Sequence, residues 1–321
     1  MNPRLILAAF LVSMLTVGWI GACVMWRAAE VGELVQTLEP KTFAALRVIA
    51  IGTGGPYENP ERLGPSTAVG WGKHILLVDA GRGTALALRK AQIPVSQPEL
   101  VLLTNLLPHN TLGLDDLHFT GWLEGRQTPL RVIGPAGTAE FVAGIQAAYR
   151  AGRAAQEQAL ALPVEGGEFE VEEVGGGWSQ EIDGLRLSAA DLPGGPTPAI
   201  AWKLEHGGRS VVVSGTGWGD DALVSFASGA NMLIHEAVYI PPPEDMEDAG
   251  VIADPERLRM EAALHTSILD VGKLATRAGV DALMLVRMRP PPFFDLQVTG
   301  IVGRDYDGEI LIPADGDEFS P

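Results

Sequence analysis

The sequence predicts an α/β protein: two β-sheets packed face to face with helices on both outer faces, an αββα sandwich, preceded by one transmembrane helix. Three observations predict it. Short apolar runs bounded by Gly or Pro alternate with helical segments along most of the chain. The texture changes after Pro163, so two strand-rich halves each carry their own helices, as expected for a sheet packed on a sheet under helical layers. Near the N-terminus, Leu5 to Trp26 is a run of 22 positions without a charge.

At about 1.5 Å per residue that run is roughly 33 Å of helix, enough for a hydrocarbon layer of about 30 Å. Trp19 and Trp26-Arg27 lie in its second half, where aromatic and basic side chains suit the interface. Residues 1–30 are therefore expected to be a single-pass membrane anchor, residues 31–45 a linker and residues 46–321 the folded domain. Arg4 and the α-amino group favour a short inner N-terminus, which places the domain on the periplasmic or extracytoplasmic side. Two alternatives stand beside this. Ile20-Gly21-Ala22-Cys23 is similar to a lipoprotein box, although Val24-Met25-Trp26 continues apolar; a cleaved signal would have a shorter apolar run. Cys23 is the chain's only cysteine, so no intrachain disulfide is possible.

Within the domain, Leu46–Ile51, His74–Val78, Glu99–Leu103 and Pro129–Ile133 read as buried strands, with helices over Thr84–Ala91 and Ala136–Leu162. The second half gives strands at Phe169–Val174, Leu185–Ala189, Ala199–Leu204, Arg209–Ser214 and Met232–Ile234. Helices follow at Asp220–Ala227 and Ser267–Ala278, then strands at Ala282–Val286 and Glu309–Ile312. Residues 240–254 form an acidic, proline-rich loop. Pro290-Pro291-Pro292 leads into Phe293 and Phe294, which either tuck into the core or form an exposed contact patch.

The net charge is −17, and residues 1–30 contribute +1 of it through Arg4, Arg27 and Glu30, leaving −18 on residues 31–321. A surface that acidic repels phosphate backbones, so no nucleic acid partner is expected.

The functional reading turns on Thr104-Asn105-Leu106-Leu107-Pro108-His109-Asn110, which ends an apolar strand and precedes Gly113-Leu114. Around it stand Gly52-Thr53-Gly54, Asp79-Ala80-Gly81, Gly134-Pro135, Ser214-Gly215, His235-Glu236, His265-Thr266-Ser267 and Tyr306-Asp307-Gly308. In this order the motifs resemble the metallo-β-lactamase fold superfamily, in its tRNase Z and arylsulfatase-like branch. The resemblance covers about Arg47 to Phe319 and implies that fold together with a hydrolytic metal site.

Residue by residue, the resemblance places the metal ligands at Asn105, Leu107, His109, Asn110, Pro193, Thr216 and Arg287. Leucine has no lone pair to offer, asparagine only a neutral oxygen, and arginine puts a cation where cations belong, whereas zinc needs imidazoles and carboxylates. The metal site therefore reads as degenerate, with no cofactor expected. Arg287 should pair with a carboxylate, Asp79 or Asp116, and Leu107 and Pro193 should fill the space. His265 matches a family histidine associated with proton transfer or phosphate contact; its simpler reading is a helix-start residue beside the caps Thr266 or Ser267. His265 and His109 are the weak catalytic candidates. The expectation is a catalytically inactive, membrane-anchored pseudoenzyme serving as a structural or interaction subunit of a membrane complex, with Phe293 and Phe294 as contact residues. One alternative is a metal-dependent ester or phosphodiester hydrolase with ligands drawn from His109, His118, Asp115, Asp116 and His265. The other is a small-molecule binding module that uses the emptied pocket.

Overall fold

The structure, a computed structural model, describes residues 3–35, 37–217, 220–241, 245, 254–289 and 294–321. It divides into two units, Met1–Glu39 and Pro40–Pro321. The first is helix α1 (Pro3–Val35), whose window Val12–Ala29 is long and apolar enough to cross a membrane by length and composition. The helix runs beyond residue 30 into the segment expected to be a linker. Ala28, Ala29, Glu30, Glu33 and Leu34 all favour helix.

The second unit holds, among the described residues, two seven-stranded sheets. The first runs in the order β14 (Glu318–Phe319), β1 (Phe43–Gly52), β2 (Ser66–Gly72), β3 (His74–Val78), β4 (Leu100–Leu102), β5 (Leu130–Gly134), β6 (Phe169–Glu173). The second runs β13 (Glu309–Leu311), β12 (Ala282–Arg289), β11 (Met232–Val238), β10 (Arg209–Val213), β9 (Ile200–His206), β8 (Leu185–Asp191), β7 (Ser179–Ile182). The expected αββα class is therefore present. Side chains alternate across each strand: in β12, Met284 and Val286 join the core between the sheets, while Leu283 and Leu285 face the helices. The inter-sheet core includes Val48, Val69, Leu76 and Leu102 from one sheet and Leu187, Trp202, Val211 and Ile234 from the other. Trp202 Nε1 donates to Leu103 O at 3.1 Å, stitching the sheets together.

Helices α2 (Thr84–Lys90), α4 (Leu114–Leu123) and α5 (Thr138–Leu160) bury Leu88, Leu117 and Val142 against the first sheet. On the second sheet, α6 (Asp220–Ala227), α8 (Val271–Ala278) and α9 (Asp295–Val302) bury Leu223, Leu274 and Val298. The short helices α3 (Pro108–Thr111) and α7 (Pro255–Ala262) lie in loops. Helix α8 starts at Val271 rather than Ser267, because Ser267 to Asp270 form a turn leading into it, with Asp270 N and Val271 N donating to Ser267 O.

Pairs β3–β4–β5–β6 and β10–β11–β12–β13 are parallel. Loops leaving the carboxyl ends of parallel strands are where such sheets build their sites. Here those loops carry Asp79, Asn105 to Asn110, and Ser214 to Gly217.

Two buried histidines make the fold acid-sensitive. His118 stacks on Phe169 with ring centroids 3.7 Å apart and bonds Gly167 O at 3.1 Å. Burial, then the neighbouring Arg126 charge, lowers its pKa to about 3. His235 is lowered to about 4, chiefly by burial. Both sit below the unfolded value of about 6.5, so the fold holds them neutral and their contribution is complete above that pH. As pH falls from 6.5 to 4.5, each should cost roughly 2–3 kcal/mol of stability. Urea unfolding at the two pH values measures this; equal unfolding free energies at both would refute it.

Candidate functional site

The site is built where the ends of the two sheets meet. Asp79, just past β3, is fully buried and holds a left-handed backbone with φ 61°. Its carboxylate accepts from Thr104 N at 2.8 Å and from Thr104 Oγ1 at 2.8 and 3.0 Å. Arg287 in β12 is also left-handed, with φ 56°, and its backbone N donates to Thr53 O at 2.7 Å. Its Nη2 donates to Asp79 Oδ2 at 2.6 Å. Two non-glycine residues in this region of φ/ψ cost on the order of 1–3 kcal/mol each, strain that clusters at functional sites. Burial raises the Asp79 pKa, with Arg287 and the Thr104 bonds pulling against it. Of the two carboxylates the sequence offered Arg287, Asp79 is the partner; Asp116 instead accepts from Thr120 Oγ1 on its own helix.

Asn105 closes the loop after β4. Its Oδ1 accepts from Leu107 N at 2.9 Å and Asn110 Nδ2 at 2.8 Å, a local turn that asparagine favours. Asn105 and Asn110 are fully buried, and Thr216 and Arg287 are 4% and 6% exposed. Leu107 is half-buried beside the second sheet's outer core. Pro193 departs from expectation: it is exposed and lines an open groove of about 500 Å³ with Pro135, Val174 and Pro196. It therefore does not fill the site, because the Gly194-Gly195 turn carries it outward.

A second cluster comes from β10, β11 and the segment before α8. Ser214 Oγ lies 2.5 Å from His235 Nδ1, and His235 Nε2 lies 2.9 Å from Thr266 Oγ1. Glu236 Oε1 accepts from Thr266 N at 3.1 Å, and both Glu236 oxygens lie 3.1 Å from His265 Nδ1. Burial alone would raise Glu236, but the His265 bond and the nearby charges outweigh it and hold it below the usual carboxylate range. The turn supplying Thr216 needs its glycines. A Cβ on Gly215 (φ 75°) would strike Thr104 Oγ1, and one on Gly217 would strike Thr266 N. His109 sits between the clusters. Burial, then the charge of Arg287, lowers its pKa to about 4, while Glu236 opposes and His265 adds to the fall.

The helix-start reading holds for Ser267, whose Oγ accepts from Leu269 N at 3.1 Å in the turn leading to α8. It does not hold for Thr266, whose Oγ1 faces His235 and Gly217 O; His265 itself is paired with Glu236. Sequence reasoning treated His235-Glu236 and His265 separately and so missed their union. The signal was present in the two His-bearing segments, but only the fold brings residues 30 apart into contact. It also missed Asp315, whose carboxylate accepts from Thr53 N, Thr53 Oγ1 and Leu63 N and so fixes the loop beside Arg287.

The donor set does not suit the family's ions. Of the seven positions, His109 alone offers a ligand type zinc prefers, and it lies beside a buried guanidinium. Among the described residues no group of three or more His, Cys, Asp or Glu side chains could hold a metal ion. Nor is the relocated set brought together: Asp115 accepts from Tyr149, His118 bonds Gly167 O, and no three members of the set meet among the described residues. Phe294 is exposed, while Phe293 and most of residues 242–253 lie outside the described residues.

No family model matches the chain. It is 34% identical over 252 residues to a protein named ribonuclease Z from Mycobacterium sp. strain KMS, an alignment covering 77% of this chain and 85% of that one. The metallo-β-lactamase fold protein YhfI from Bacillus subtilis superposes with TM-score 0.66 at 18% identity, over 86% of this chain and 99% of its own. The short form of human tRNase Z gives 0.63 at 19% identity, over 85% and 98%. Architecture and strand-end site thus define a metallo-β-lactamase fold protein. Within that class, the chain belongs to the ribonuclease Z family.

This membership corrects four expectations. Relatives that align along most of their length are named as ribonucleases, so the inactive pseudoenzyme, the non-enzyme and the membrane-complex subunit are overturned. The exclusion of nucleic acid falls with them. The first error treated lost ligand types as lost chemistry. The second let a whole-chain charge stand for a local surface.

Proposed function

We propose that the chain is a hydrolase of RNA phosphodiester bonds, carried at a membrane by its N-terminal helix. The observation that carries this reading is its 34% identity to a protein named ribonuclease Z over 85% of that protein. The Glu236–His265 pair supports it. With Nδ1 facing a carboxylate, the His265 Nε2 is the ring nitrogen left to exchange a proton with substrate, and the carboxylate stabilises the imidazolium that results. Arg287 supplies fixed positive charge in a buried setting, the kind of group that stabilises a phosphoryl transition state.

RNA must reach an acidic protein. Net charge acts over a screening length of about 8 Å at physiological salt, so the local surface decides. Arg62 and Arg82, with Glu58, line a recess of about 270 Å³, and Arg62 Nη1 donates to Oγ1 of Thr53, whose carbonyl accepts from Arg287 N. For the anchor, the support is the length and apolarity of Val12–Ala29.

The test is cleavage of a fluorescent RNA oligonucleotide by the full chain in detergent. Cleavage by the wild type and its loss on His265→Ala are expected. A wild-type protein that leaves the RNA intact would overturn the reading.

A further inference from the structure

Three buried side-chain atoms in this one cluster have no hydrogen-bond partner among the described residues: Arg287 Nε, Thr216 Oγ1 and Asn110 Oδ1. They are connected through shared neighbours. Arg287 is bonded to Asp79 and Asp79 to Thr104. Gly215, before Thr216, packs on Thr104, and Asn105 beside Thr104 takes the Asn110 amide. Buried polar atoms are almost always satisfied by protein or ordered water, so three orphans on connected residues call for partners that the protein's own side chains do not supply.

The chemistry of the orphans says which kind. A guanidinium N–H only donates, and a threonine hydroxyl donates readily. Both call for an acceptor-rich, negatively charged group, the opposite of a metal ion. A guanidinium and a hydroxyl together suit phosphoryl oxygens. The nearby carboxylates do not stand in the way, because Asp79 is engaged by Arg287 and Thr104, and Glu236 by His265 and Thr266 N. Asn110 Oδ1 remains as an acceptor, matched to a hydroxyl on phosphate or on ribose.

We propose that Arg287 and Thr216 form a phosphoryl-oxygen site at the positions the family resemblance gives to metal ligands, so that a fixed guanidinium, not an ion pair, receives the phosphodiester. Its link to catalysis rests on the hydrolase reading; the binding itself does not.

The experiment titrates inorganic phosphate into the full chain in detergent with chelator present, at constant ionic strength set by chloride, and follows Tm and heat. Arg287→Lys keeps the charge beside Asp79 but deletes the Nε–H; Thr216→Val keeps the shape but deletes the hydroxyl. Saturable binding to the wild type is expected, weakened about tenfold or more in each variant, as for loss of a hydrogen bond to a charged group. No saturable phosphate binding by the wild type, or wild-type affinity in either variant, overturns the proposal. Thr216→Val guards against a folding defect in the arginine variant. RNA cleavage without phosphate binding would sink this site and leave the hydrolase reading standing; phosphate binding without cleavage would do the reverse.

Discussion

Replacing His265 by Ala is expected to lower RNA cleavage by about 10²–10⁴-fold, the usual loss when a positioned proton carrier is removed. The side chain is half-buried and its Nδ1 is fixed 3.1 Å from both Glu236 oxygens, so ring orientation and tautomer are set by a charged partner. Glu236→Gln keeps the shape but cannot stabilise the imidazolium. It should therefore slow cleavage less than His265→Ala and displace the acid limb of the pH–rate profile. That displacement separates a proton-transfer role from packing, since a merely structural pair would change stability and leave the profile in place. Should His265→Ala cleave at near the wild-type rate with an unchanged circular dichroism spectrum, the proton would have to travel elsewhere.

The largest stability effect is expected at the Asp79–Arg287 pair. Arg287→Met strands a fully buried carboxylate with only Thr104 for company, and breaking a buried pair from one side costs about 3–5 kcal/mol. The double variant Asp79→Asn/Arg287→Met removes both charges and should recover most of that loss. The sign of the pH dependence follows from Asp79, whose folded pKa is raised. A raised carboxyl is stabilising when protonated, and that contribution fades as pH rises through the folded pKa. Removing Arg287 takes away the charge that opposes the rise, so the single variant should be more crippled at pH 8 than at pH 5. Urea unfolding of wild type, single and double variants decides this. A single variant within about 1 kcal/mol of wild type would show that the pair does not join the sheet ends energetically.

Much of the fold was legible because its strands are buried on both faces and read as apolar runs: β3, β4 and β12 declare themselves this way. β2 did not, since Ser66-Thr67-Ala68-Val69-Gly70-Trp71-Gly72 mixes glycine and hydroxyls in a strand that is nonetheless almost wholly buried. Gly70 is needed there because the Phe43 ring lies where a Cβ would stand. At the site, the pairing of Arg287 with Asp79 could be foreseen, because a buried cation demands a carboxylate and few were near in the motif order. The role of His265 could not. Its neighbours Thr266 and Ser267 carry the composition of a helix start, which Ser267 serves, while the partner of His265, Glu236, lies on β11 about thirty residues away. A net charge averages over the whole surface and does not report local recesses such as the one that Arg62 and Arg82 line together with Glu58.

Phosphodiester cleavage by this chain is expected to be independent of a bound ion, because the seven ligand positions hold only one residue of a type that zinc prefers. The full chain, purified in detergent and dialysed exhaustively against a strong chelator, should cleave the RNA oligonucleotide at the same rate as before, and added zinc should not raise that rate. Loss of cleavage on chelation, restored by zinc in proportion to the ion taken up, would contradict this and place the chemistry on a metal after all.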